Sequence, residues 1–349
     1  MKKFIYVLIT CIFIVTSCIS CGSSKSKYYE KSNIVMDTAV TLSAYGPNSK
    51  EAVEESFKRL DEIDKMASTT IDTSDVYKIN SSSGKAYVKV HPEILKMVKT
   101  SVQYSKLSDG AFDITTGPII NLWGIGTDNE RLPSDEEIKA KLPLIGYDKI
   151  SINEDEGSIM LKDEGMAIDL GGVAKGFAAD EVLKIYKKYN IENGLINLGT
   201  SSIYGLGKNK DNKNWTVGIK HPRSEDSNEY LGVVKISDES LSTSGDYERY
   251  FIKDNKRYHH IMDTKTGYPV DNGVISDTII INGEVADNGM LADILTTAVF
   301  ALGPEKGIKL INSLPQVSGE ITTSDYKIYT SQGFKDRITD LNKDFKFAN

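Results

Sequence analysis

The chain has 349 residues, 40% hydrophobic and 26% charged, which suits one large domain or two smaller ones with an ordinary globular core. Its formal charge is -7 and no basic stripe offsets it, which argues against nucleic acid as a partner. All three cysteines (Cys11, Cys18 and Cys21) fall near the N-terminus, so the folded part has no disulfide, thiolate metal site or cysteine nucleophile. Lys2 and Lys3 precede an apolar run from Phe4 to Val15. That run is shorter than the about 20 residues needed to cross a bilayer and has the length of a signal-peptide core. Val15-Thr16-Ser17-Cys18 resembles a bacterial lipobox, so residues 1–17 read as a lipoprotein signal peptide whose removal lowers the charge by two further units. Cys18 is then the lipidated residue. Cys21 is less favoured, because Cys18 would stand where an aliphatic residue is usual. Residues 18–33 read as a lipidated polar tether, holding the protein on the extracytoplasmic side of a membrane. Simple secretion is the plain alternative.

From Ile34 the pattern turns globular. Val40, Leu42 and Ala44 alternate with polar residues as in a half-buried strand. Val53, Phe57, Leu60 and Ile63 recur at three- and four-residue steps and predict a helix from Glu51 to Met66. A second helix is expected from Pro92 to Leu107, with proline in its first turn. Ser134-Asp135-Glu136-Glu137 reads as a capping box opening a third. Short strands are expected at 158–162, 166–170, 195–198, 215–220, 230–236, 248–252, 258–262 and 274–281. Helices are expected at 173–189 and 287–302, the second stopped by Gly303-Pro304, with one or two strands after it. Helices and strands interleave without regular βαβ order. The expectation is an α+β fold, a single mixed domain over 34–349 with room for two lobes, rather than a Rossmann pair.

Three segments carry candidate chemistry. Ala167 to Leu170 reads as a strand that breaks into Gly171-Gly172-Val173-Ala174-Lys175-Gly176 and then a helix. Glycines there let the backbone approach a ligand, free N–H groups at the helix start favour an anion, and Lys175 adds a point charge. Structural glycine explains such a turn as readily, and no Walker A is present. Asp293 and Thr297 stand one turn apart on one helix face, a carboxylate and a hydroxyl suited to a hard cation such as Mg²⁺. A buried Asp bonded to Thr is the plainer reading of that pair alone. His259 and His260 point to opposite strand faces, so one can face a site and act as a proton acceptor. Trp123 is as consistent with core as with ligand contact.

In order along the chain, these segments resemble the ApbE family, the FAD:protein FMN transferases. The resemblance spans nearly all of residues 34 to 303. It rests on Met36-Asp37-Thr38, Asp109 to Pro118, Asn121-Leu122-Trp123-Gly124, Asp169 to Asp180, Leu195 to Gly199, Ser242 to Tyr247, His260 to Gly267 and Ala292 to Thr297. It implies an ApbE-like, T-fold-like architecture and Mg²⁺-dependent transfer of FMN from FAD to a threonine hydroxyl of an acceptor flavoprotein, with release of AMP. It implies Asp293 and Thr297 as side-chain ligands of the metal and Gly172 as a carbonyl ligand. Thr296 sits where some members carry a further acidic ligand. Met36, Ala111, Phe112, Asp113, Asp169, Lys175 and Met262 would line the FAD site, and His260 would be the base. Three departures are visible. Thr70 replaces a tyrosine that borders FAD, which leaves FAD pyrophosphatase activity open. Gly199-Thr200-Ser201-Ser202 replaces Gly-Gly-Asp or Gly-Gly-Asn, and Asp263-Thr264 replaces Asp-Pro. A non-catalytic flavin- or solute-binding lipoprotein is the rival from another class. It has no need of the Asp293/Thr297 pair.

Overall fold

The computed structural model describes residues 27–348 except Thr200 and Ser227. The expected signal peptide, Cys18, Cys21 and the first part of the tether lie outside the described residues. The tether ends sooner than its composition suggests. Tyr28–Val35 forms strand β1, paired antiparallel with β2, Thr38–Tyr45. β1 is polar and largely exposed at the edge of a sheet, so its residues read as linker. Packing from elsewhere orders it. Tyr28 packs on Tyr45 with ring centroids 4.8 Å apart, and Glu54 accepts from the Tyr29 hydroxyl and the Lys31 ammonium at 2.8 and 2.7 Å.

Helix α1, Ser49–Ala67, buries Val53, Phe57, Leu60 and Ile63, the stripe read from their spacing. A short helix α2, Asp75–Ser81, follows, then β3, Val88–Lys89, and α3, Pro92–Leu107, which matches its predicted bounds. α4, Gly117–Trp123, was not predicted; it ends at Gly124 in the left-handed conformation. α5, Asp135–Lys141, opens on the complete Ser134/Glu137 capping box. β4, Ile150–Asn153, and β5, Ser158–Leu161, join β3 in a three-stranded sheet. The strand expected at 166–170 does not form. The Asn80 side chain brackets Ile168, donating to its carbonyl at 3.0 Å and accepting from its N–H at 2.8 Å, and Ile114 O accepts from Asp169 N. These partners satisfy the backbone without a neighbouring strand.

The remaining elements are α6, Ala174–Lys188; β6, Asn193–Leu198; β7, Ser202–Leu206; β8, Trp215–Lys220; β9, Tyr230–Ile236; and β10, Glu239–Gly245. After them come β11, Tyr250–Lys253; β12, Lys256–His259; β13, Val274–Asn282; α7, Asn288–Leu302; α8, Pro304–Ser313; β14, Val317–Thr323; β15, Lys327–Thr330; and β16, Lys346–Phe347. Nine strands form one sheet in the order β1-β2-β6-β7-β10-β13-β14-β15-β16, antiparallel except for the last pair. Strand alternation divides its two faces. Ile279 and Ile281 of β13 pack under Ala292, Leu295 and Val299 of α7. Ile280, between them, packs with Leu231 and Val234 of the β8–β9 hairpin. The architecture is the mixed α+β class expected from the sequence, and the antiparallel order excludes a doubly wound parallel sheet.

Candidate active site

The glycine turn is built before the helix begins. The Asp169 carboxylate accepts from Gly171 N at 2.7 Å, and Leu170 O accepts from Val173 N and Ala174 N at 2.9 and 2.8 Å. α6 starts at Ala174 with no side-chain cap, which leaves its first amides for other partners. One goes to the neighbouring helix: Gly176 N donates to Asp293 Oδ2 at 2.8 Å. α7 receives the reciprocal bond. Asp180 of α6 accepts from Gly289 N and Met290 N, each at 2.9 Å, and so caps the start of α7. Burial pushes the Asp180 carboxyl up to about 7. Two glycines permit this double cap. A Cβ on Gly176 would lie 2.1 Å from Gly289 O, and one on Gly289 would lie 2.6 Å from Gly176 O.

This crossing brings the cation-binding candidates to the turn. Asp293 is 5% exposed. Its Oδ1 accepts from Ser202 of β7 at 2.5 Å and from Ser242 of β10 at 3.1 Å. Thr297 stands beside Gly172: a Cβ built on that glycine would be 3.1 Å from Thr297 Oγ1 and 3.5 Å from the Phe112 ring. Thr296 is buried and turns its hydroxyl back onto Asp293 O at 2.9 Å. The Asp293 carboxylate and the Thr297 hydroxyl therefore meet the glycine turn at one end of α6, and carboxylate, hydroxyl and peptide carbonyl are all hard oxygen donors. Lys175, half-buried in the first turn of α6, forms no ion pair among the described residues.

His260 belongs to the same neighbourhood. Its backbone N–H and its Nδ1 both reach Arg249 O, at 3.1 and 3.3 Å. Donation from Nδ1 to a carbonyl fixes the tautomer and leaves Nε2 with a free lone pair. Burial, then the positive charges of Arg249, His259 and Lys175, hold its pKa down at about 3. His259 faces the other way, as period two requires. It meets Val270 O through Nε2 at 2.9 Å and the Phe300 ring edge-on at 5.5 Å.

The other residues expected around FAD hold the surrounding loops. Asp113 is buried and accepts from Thr115 N, Thr115 Oγ1 and Tyr147 N at 2.7 to 2.8 Å. Burial raises its pKa against those bonds. Thr264 Oγ1 donates to Gly110 O at 2.7 Å, tying the turn after His260 to the loop that carries half-buried Ala111. Met262 packs in a cluster with Ile119, Trp123 and Ile138, and Trp123 is core, its indole N–H donating to Gly267 O at 2.8 Å. Met36 and Asp37 form the tip of the β1–β2 hairpin, both at φ 55°. Non-glycine residues rarely adopt that region, and a two-residue hairpin closed by a type I′ turn requires it at both positions. Thr70 is exposed in the turn after α1, its N–H donating to Ser68 Oγ at 3.1 Å. Ser202, Ser242 and the cap made by Asp180 are not identified by local spacing, because each reaches its partner across the fold.

Comparison with known proteins follows the same outline. A model of the ApbE family matches residues 36–319. A FAD:protein FMN transferase of Klebsiella pneumoniae (strain 342) is 30% identical over 323 residues, covering 93% of this chain and 98% of that protein. A FAD:protein FMN transferase of Treponema pallidum (strain Nichols) is also 30% identical, over 344 residues and 93% of each chain. Among solved structures, the ApbE protein of Thermotoga maritima superposes with a TM-score of 0.80 at 32% identity, covering 89% of this chain and 99% of that one. The flavin transferase ApbE from Vibrio cholerae gives 0.78 at 27% identity, with coverage of 89% and 99%.

Proposed function

The chain belongs to the ApbE family and acts as an FMN transferase using FAD, and from that premise we propose the finer reading: the acceptor group is a threonine hydroxyl, the reaction needs Mg²⁺, and His260 takes the proton. The observation that carries it is the meeting of Asp293 and Thr297 with the glycine turn at the start of α6. Asp293, Thr297 and the Gly172 carbonyl would hold the cation, with Thr296 the weakest candidate because its hydroxyl bonds Asp293 O at 2.9 Å, whereas that of Thr297 reaches the same carbonyl only at 3.5 Å. The donor set fits Mg²⁺, which favours oxygen and accepts one or two carboxylates with substrate phosphate completing its shell. When bound, the ion supplies charge neutralisation on the diphosphate oxygens.

The chain's own residues do the rest. Lys175, in the first turn of α6 where the helix dipole favours an anion, binds and orients the diphosphate. The threonine oxygen attacks the FMN phosphorus, the bond from that phosphorus to the bridging oxygen breaks, and AMP leaves with that oxygen. The hydroxyl proton passes to His260 Nε2, the nitrogen left free by the Arg249 bond. In the FAD-free protein His260 is a weak base, first because it is buried and then because Arg249 and Lys175 lie near it. A bound diphosphate would offset the cationic part of that effect and raise its pKa. Met36, Ala111, Phe112, Asp113, Asp169 and Met262 remain the proposed surroundings of the flavin nucleotide. Asp113 and Asp169 contribute by fixing loops, since their oxygens hold backbone amides.

Extracytoplasmic anchoring through a lipid on Cys18, with Cys21 as the lesser candidate, is proposed from the leader alone. Among the described residues no helix is long and apolar enough to cross a membrane. A second activity, FAD hydrolysis to FMN and AMP, is favoured by Thr70 in place of the usual tyrosine. One assay separates the readings. The soluble domain is incubated with FAD and Mg²⁺, with and without an acceptor flavoprotein. AMP together with covalently fluorescent acceptor supports transfer; AMP and free FMN without acceptor shows hydrolysis; bound FAD without AMP would overturn catalysis. Asp293→Ala should abolish turnover, and unchanged turnover would refute the metal assignment.

A further inference from the structure

We propose that Ser202 and Ser242 are positioning residues for Asp293: their hydroxyls together orient its carboxylate and so set the affinity of the site for a divalent cation. The inference rests on the reading of Asp293 as a metal ligand. Ser202 and Ser242 are cross-strand partners in the β7–β10 pairing, so their side chains emerge from the sheet side by side beneath α7. They are 2% and 1% exposed. Both donate to the same oxygen, Oδ1, at 2.5 and 3.1 Å, while Gly176 N donates to Oδ2.

A carboxylate offers about four lone-pair directions, two on each oxygen. Two hydroxyl donors occupy Oδ1 and one amide occupies Oδ2. The remaining direction lies on Oδ2, the oxygen turned toward the first turn of α6. The serines therefore do more than satisfy a buried acid. They fix which oxygen is free, and they assign Asp293 a single-oxygen contact to the cation. Both hydroxyls reach Asp293 as donors, so the task of orienting the ligand is divided between two serines on adjacent strands.

Outer-shell partners of metal ligands typically contribute 10- to 100-fold in metal affinity. The test is Mn²⁺ binding to the soluble domain without FAD, read from the free-ion electron paramagnetic resonance signal, with Mg²⁺ as competitor. Ser202→Ala and Ser242→Ala should each weaken binding by about 10-fold, and the double variant by about 100-fold. Ser242→Thr, which keeps the hydroxyl, should stay near wild type. Asp293→Ala separates the two levels. If it binds Mn²⁺ as wild type does, the ligand reading itself fails. If it loses binding while a folded Ser202→Ala/Ser242→Ala variant stays within twofold of wild type, only the positioning role fails. Should the double variant not fold, the single variants and the threonine rescue decide. Equal affinity for Ser242→Ala and Ser242→Thr, with Ser202→Ala also at wild-type affinity, overturns the proposal.

Discussion

Replacing Gly176 by alanine should uncouple α6 from α7 and, with it, the site. The added Cβ would meet Gly289 O at 2.1 Å and Gly289 C at 2.6 Å. Close carbon–oxygen contacts between backbones settle at about 3.3 Å or more, so the helices must part by roughly 1 Å. Overpacking of this kind costs about 1–3 kcal/mol. The functional cost is larger, because the same displacement draws Asp293 Oδ2 away from Gly176 N, now at 2.8 Å, and Thr297 away from Gly172. A misplacement of about 1 Å can lower a rate on the order of 100-fold. Urea denaturation gives the stability term, and AMP release from FAD titrated with Mg²⁺ gives the functional one. The activity loss should exceed the stability loss and should be partly recovered at high Mg²⁺. A Gly176→Ala protein with wild-type stability and AMP release within threefold of wild type would show that the close crossing does not organise the site.

Three further outcomes follow from the same structure. Glu320 is fully buried, and burial pushes its carboxyl up to about 7, while neighbouring Asp277 is raised in the same direction by burial and by Glu320. The folded protein then keeps a proton that the unfolded chain releases above about pH 4, so this contribution to stability is full below that pH and is lost as pH rises to 7. Glu320→Gln should therefore gain up to about 3 kcal/mol over wild type at pH 8 and little at pH 4.5; an equal difference at both pH values in urea denaturation would exclude burial of the acid as the cause. His260 should stay neutral through physiological pH in the free enzyme and titrate at a higher pH once FAD is bound, because the diphosphate offsets Lys175 and Arg249; histidine NMR signals that titrate identically with and without FAD would contradict this. Thr70→Tyr should reduce AMP and free FMN formed without acceptor while leaving acceptor labelling intact, and unchanged hydrolysis would detach Thr70 from that balance.

Local patterns in the sequence reached as far as local physics does. The proline-started α3, the Ser134 capping box, the helix after the glycine turn and the helix bearing Asp293 and Thr297 all depend on residues a few positions apart, and all form. The opposite facing of His259 and His260 also follows from strand period alone. What escaped depends on distant partners. β1 is ordered by Glu54 and Tyr45, and the stretch 166–170 is satisfied by Asn80 and Ile114 instead of a strand. The Asp180 cap comes from 109 positions away, and Ser242 meets Asp293 across a separation of 51. Cross-strand register and helix crossing decide those contacts, and neither is written in a spacing.

If the proposed lipid sits on Cys18, the early start of β1 limits how far the folded body stands from its anchor. With a lipid on Cys18, only ten peptide steps separate the anchor from Tyr28. Drawn taut, that leash reaches about 35 Å, less than the width of the folded body it holds, whose radius of gyration is about 20 Å. So anchored, the domain would stay close to the bilayer. Under that proposal, an acceptor would have to come within about one taut tether plus one body-width of the headgroups, or carry its hydroxyl there on an arm of its own.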